Sequence, residues 1–147
     1  MADRNVHKRC SCRDPQTREI LGSRCPKLRR ANRSWNPTHG SWAFQLELPA
    51  TAEGCRRQLR RAGLTTRADA VRELDHARAA LALAGRDRTA RSQIADLLQR
   101  TMRCALPLPH LDELGRRLRT ASPLTDIPTV GEWLPVWGHE AQTRSEY

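Results

Sequence analysis

The sequence predicts an α+β fold: an N-terminal Cys-rich loop or hairpin, a small antiparallel β-sheet packed on one helix, and two or three further helices. Three observations lead there. Apolar residues alternate with period two from Trp42 to Leu48, apolar residues recur at helical spacing in several stretches between Val71 and Leu118, and three cysteines with a histidine gather in the first forty residues.

Charge decides which partners are worth considering. The chain has 147 residues with 26 Lys or Arg against 16 Asp or Glu, a formal charge of +10 and a pI near 10.8. With 38% hydrophobic residues and a mean hydropathy of −0.71 it cannot bury a large core, and a polyanion is the default partner. Only Lys8 and Lys27 are lysine, and the planar fork of Arg suits phosphates and base edges, so nucleic acid is favoured over lipid. No apolar run approaches the roughly 18 residues of a membrane span, and no secretory signal opens the chain. A cytoplasmic chain with no membrane partner is expected.

Residues 1–40 read as a basic, Cys-rich, zinc-binding segment. Cys10, Cys12, Cys25 and His39 supply three thiols and an imidazole, a complete tetrahedral Zn2+ shell if they converge, with His7 as the rival fourth ligand. Asp14-Pro15-Gln16-Thr17 is a turn sequence able to bring the limbs of Cys12 and Cys25 together. The single residue between Cys10 and Cys12 is shorter than the usual spacing of paired ligands, and reduced thiols are the alternative. Cys55 and Cys104 lack neighbours of this kind and read as core or surface thiols.

Residues 41–84 read as a sheet with one helix. Trp42, Phe44, Leu46 and Leu48 alternate with Ala43, Gln45 and Glu47, Pro49 ends the strand, and Cys55–Arg61 can return beside it. With Leu59 inward, Arg57 and Arg61 share its face at the margins, and Gln45, Arg56, Gln58 and Arg60 face outward. Gly63 closes the strand, Thr65 or Thr66 caps a helix, and Val71, Leu74, Ala77 and Leu81 give it an apolar stripe ending at Gly85. In residues 85–120, Ile94, Leu97, Leu98, Met102 and Ala105 mark a second helix, and Leu111, Leu114 and Leu118 a third. Residues 121–128 form a Pro-bearing linker. Residues 129–147 begin another helix with a capping box, Thr129 with Glu132, interrupted by Pro135.

Residues 1–61 hold 14 basic and 5 acidic residues, whereas residues 62–147 hold 12 and 11. The excess therefore belongs to the predicted sheet and the segment before it, where two Trp and the only Phe argue for an ordered module. A two-stranded ribbon fits the major groove of duplex DNA, where Arg reads guanine and Gln reads adenine. Gln45, Arg56, Gln58 and Arg60 have that chemistry, Arg57 and Arg61 flank it, and Arg29, Arg30 and Arg33 suit phosphates. No Gly-rich phosphate loop, G-x-S-x-G or H-E-x-x-H is present. Neither catalysis nor a small-molecule substrate is expected.

Cys10-x-Cys12-Arg13-Asp14-Pro15, Leu21-Gly22, Cys25-Pro26, His39-Gly40-x-Trp42, the Arg-rich return strand, Thr66-Arg67-Ala68-Asp69-Ala70 and Thr129-Val130-Gly131-Glu132-Trp133-Leu134 occur in this order. Together they resemble the N-terminal part of actinobacterial phage and plasmid integrases of the tyrosine recombinase family. The resemblance implies an arm-type DNA-binding domain around residues 41–84 and the start of a core-binding domain from Thr129. It also implies double-stranded DNA as partner, with an intact recombinase as a second one. The family's H-x-x-R element is missing, and Tyr147 is the last residue without the neighbours a nucleophile needs, so a noncatalytic fragment, truncated near residue 135, is expected. Two other functions fit the composition: a helical interaction module over Thr89–Thr120, and a small zinc-dependent DNA-binding regulator.

Overall fold

The computed structural model describes residues 4–124. Four strands, β1 (Val6–Arg13), β2 (Ile20–Gly22), β3 (Ser41–Leu48) and β4 (Arg57–Leu64), precede three helices, α1 (Arg67–Ala82), α2 (Arg88–Arg103) and α3 (Leu111–Arg119). The strands form one antiparallel sheet in the order β2-β1-β3-β4. The α+β class is as expected. The helix start at Thr129 and the second half of the predicted linker lie outside the described residues.

Half of the sheet comes from the segment read as a Cys-rich loop or hairpin. β1 pairs antiparallel with β3 in the register Val6↔Phe44, His7↔Ala43, Lys8↔Trp42 and Arg9↔Ser41. Its sequence hides this because the inward position between Val6 and Cys10 is Lys8, only 3% exposed. Its Nζ donates to the Asn36 carbonyl and lies 5.8 Å from the centroid of the Trp42 ring. The expected boundary at residue 40 is crossed by this pairing. β4 also differs: it begins at Arg57 and runs through Gly63, whose φ of +82° keeps the strand going where a side chain would strain it.

The described residues divide into two compact units, one made of residues 4–47 with Arg60–Leu74, the other of Leu48–Leu59 with residues 75–124. In the first unit, cross-strand partners share a face, so Val6, Lys8, Trp42 and Phe44 point one way and His7, Arg9, Ser41, Ala43 and Gln45 the other. Val6, Trp42 and Phe44 are buried together with Cys25, Leu28, Ala70 and Leu74. The Thr66 hydroxyl accepts from the Asp69 amide at 3.0 Å and donates to the Asp69 carboxylate at 2.7 Å, so the predicted cap starts α1. Arg61 ties β4 to α1 through Glu73 at 3.2 Å.

The second unit is a helical core. Leu59, Ala77, Ala80, Leu81, Ile94, Leu97, Leu98 and Leu114 are buried, each leucine worth about 1.5–3 kcal/mol when removed from water. Asp87 caps α2 by accepting from the Ala90 amide at 3.0 Å. In α3, Glu113 pairs with Arg116 at 2.7 Å and Arg117 at 2.8 Å. Ala105, expected on the apolar stripe of α2, lies exposed beyond the helix end with φ +53°.

Candidate metal centre

Strand geometry explains the short spacing of the first two cysteines. Residues two apart on a strand point to the same side, so Cys10 and Cys12 in β1 present both thiols together with a single residue between them. The usual bite of two to four residues belongs to turns, which is why spacing alone undervalued this pair. After Cys12 the chain reverses at Asp14, whose carboxylate accepts from the Gln16 amide at 2.8 Å and the Thr17 amide at 3.0 Å. These N–H donors hold the Asp14 carboxyl below its ordinary pKa. The turn predicted from Asp14-Pro15-Gln16-Thr17 thus leads into β2, and Cys25 follows, buried at the start of the 3-10 turn Pro26–Leu28.

His39 arrives from the other direction, immediately before β3. Its approach depends on Gly40, whose φ is +76° and where an added Cβ would lie 2.6 Å from the Arg9 carbonyl oxygen and 2.6 Å from Leu28 Cδ2. Only glycine lets the backbone lie this close to β1.

The Sγ atoms of Cys10, Cys12 and Cys25 and a ring nitrogen of His39 all lie within 4.8 Å of one another. His39 Nε2 is 3.5 Å from Cys12 Sγ and 3.5 Å from Cys25 Sγ. Zinc bonds of about 2.3 Å to sulfur and about 2.0 Å to nitrogen at tetrahedral angles separate S from N by about 3.5 Å, so both measured edges fit one four-coordinate ion. The four side chains together would complete the shell of one tetrahedral ion. Three ligands are half-buried and Cys25 is buried. Cys55 and Cys104 are exposed thiols.

The basic and amide residues singled out from sequence are placed in different ways. Arg57 and Arg61 are engaged inside the protein: Arg57 donates to the Pro49 carbonyl at 2.8 Å and to Ser92 at 3.3 Å and pairs with Asp96, while Arg61 holds Glu73. Gln45 lies on the sheet face opposite Phe44, half-buried, and exposed Arg60 stands near His7. Partial burial, then the charges of Arg9 and Arg60, lowers the His7 pKa. Arg56, exposed, precedes β4 rather than lying in it, and Gln58 is half-buried within it. Arg29, Arg30 and Arg33 are exposed on the segment between Leu28 and Asn36.

Two residues of this basic surface escaped the sequence reading. Arg9 lies on the same side of the sheet as His7 and Gln45, which becomes visible only once β1 is known to pair with β3. Trp35 carries the Arg29 guanidinium over its ring at 3.7 Å. The run of Arg and Trp between positions 29 and 35 was the available signal. Comparison with protein-family models, curated proteins and solved structures finds no match to this chain.

Proposed function

We propose that the chain is a noncatalytic double-stranded DNA-binding module whose N-terminal unit is ordered by one structural Zn2+. The observation that carries this reading is the placement of exposed arginines, Arg9, Arg29, Arg30, Arg33 and Arg60, on the same unit that holds the four ligand atoms. So small a unit has little apolar interior, and a closed metal site supplies folding free energy that burial cannot. Gln45 and Arg60 offer amide and guanidinium chemistry for base edges, and the arginines between Leu28 and Asn36 offer it for phosphates. The ordered motifs resembling integrase N-termini extend the reading: the DNA would be an arm-type attachment site, with an intact recombinase as a second partner.

Zinc content and fluorescence anisotropy on labelled duplexes test the proposal together. One zinc per chain is expected, with log K for DNA falling against log salt by about 0.9 for each phosphate contacted. Arg60→Ala is expected to cost about 1–3 kcal/mol on the preferred sequence and less on random duplex if it reads a base. No zinc, or binding that ignores salt, would overturn the reading.

A further inference from the structure

The segment from Leu28 to Asn36 is a hairpin with its own hydrogen bonds. Asn36 N–H donates to the Leu28 carbonyl at 2.9 Å, Arg29 and Trp35 form a bridge, and Arg30 N–H donates to the Ser34 carbonyl at 2.9 Å. The tip is tight, with Arg33 N–H donating to the Arg30 carbonyl at 2.9 Å and Arg33 itself at φ +65°. Asn32 stiffens it further by accepting from both the amide and the hydroxyl of Ser34, at 3.1 Å and 2.6 Å.

Two metal-ligand candidates stand at the roots of this hairpin. Cys25 precedes Leu28 and His39 follows Asn36, and their ligand atoms are 3.5 Å apart. A metal ion held there would close the base of the loop. Leu28, 1% exposed, anchors the same root in the core.

One guanidinium on the hairpin is oriented before any ligand arrives. Arg29 stacks on Trp35 at 3.7 Å while its Nη1 donates to the Arg33 carbonyl at 2.7 Å. Among the described residues its Nε and Nη2 make no further hydrogen bond. Trp35 in turn meets Trp42 edge to face, with centroids 5.3 Å apart and planes at 69°, and Trp42 belongs to the sheet core. The fork of Arg29 is thereby fixed relative to β3 through two rings.

We propose that this hairpin is a phosphate clamp for duplex DNA, with Arg29 as the contacting fork, Arg30 and Arg33 beside it, and Trp35 as the positioning residue that holds the fork in place. It rests on the DNA-binding reading above and adds to it a residue, Trp35, that never touches the phosphate. A stacked planar guanidinium presents two parallel N–H donors to phosphate oxygens without first giving up rotamer freedom. Such a contact fixes position on the duplex and carries no sequence preference.

The test uses the full, zinc-loaded chain and a labelled mixed-sequence 20-base-pair duplex over a salt series. Arg29→Ala should flatten the salt slope by about 0.9 and weaken binding about fivefold at 0.15 M salt, the share of one neutralised phosphate. Trp35→Ala should weaken binding in the wild-type background and change nothing when Arg29 is already Ala, while Trp35→Phe should retain most of the affinity. Additive losses from the two alanine variants, or an unchanged slope in Arg29→Ala beside a salt-dependent wild type, would overturn the clamp and leave the DNA reading standing. A wild-type chain without salt-dependent binding would remove both. If Trp35→Ala loses its zinc, Arg29→Ala, which changes an exposed side chain, still decides the phosphate contact, and a loss in Trp35→Phe as large as in Arg29→Ala would overturn the positioning role.

Discussion

Gly40→Ala is the most informative single perturbation of the unit that holds the four candidate ligands. Two costs add at this position. An L-residue held at φ +76° loses about 1–2 kcal/mol to the left-handed conformation. The new methyl would also sit 2.6 Å from the Arg9 carbonyl oxygen and 2.6 Å from Leu28 Cδ2, and neither can yield freely, since one is strand backbone and the other is 1% exposed. Overpacking of that kind costs about 1–3 kcal/mol, so a total of about 2–5 kcal/mol is expected. Gly22→Ala is the matched control: it too has positive φ, +57°, but nothing lies within 4 Å of its added Cβ, so only the conformational cost applies. Urea unfolding at a fixed excess of zinc, followed by tryptophan fluorescence, measures both losses, and competition with a chelator measures zinc affinity. Because the methyl is carried by the residue after His39 and pushes on Arg9, the neighbour of Cys10, zinc affinity should fall in Gly40→Ala and hold in Gly22→Ala. Equal stability losses and equal zinc affinities in the two variants would refute the claim that close approach at Gly40 assembles the ligand set.

Two further outcomes concern the helical unit. Hydrogen bonds from Arg116 and then Arg117 hold the Glu113 carboxyl down to about 2 from its ordinary 4.5, so its contribution to α3 is present above the unfolded pKa and disappears as pH falls from about 4.5 towards 2. Carboxyl-carbon NMR should place its midpoint near 2, and a midpoint near 4.5 would discard the pairing. Leu114→Ala, at a fully buried site of α3, should destabilise by about 2–5 kcal/mol in urea monitored by helical circular dichroism, and a loss under 1 kcal/mol would mean that the site collapses or that α3 is not part of the core.

The helices were the most legible part because their apolar residues recur at local spacing. Thr66 caps α1 as its sequence suggests, and Ile94, Leu97 and Leu98 mark the buried stripe of α2 by spacing alone. β3 was equally plain, since Trp42 and Phe44 alternate with small or polar residues. β1 was not: its inward positions are a valine, a lysine and two cysteines, and nothing local marks Lys8 as a residue to be buried against Trp42 and the Asn36 carbonyl.

The same division runs through the site. Residue chemistry determined by itself that three thiols and an imidazole in one basic segment could share an ion. Which thiols meet which nitrogen was decided only when β1 paired with β3, because ligand convergence depends on strand register and on the bare backbone of Gly40, both properties of residues distant in sequence. Likewise only the folded chain separates Arg57 and Arg61, drawn inward by Asp96 and Glu73, from Arg29, stacked on Trp35 with donors to spare. An arginine looks the same in every sequence, and its role follows from which carboxylate or ring the tertiary structure brings beside it.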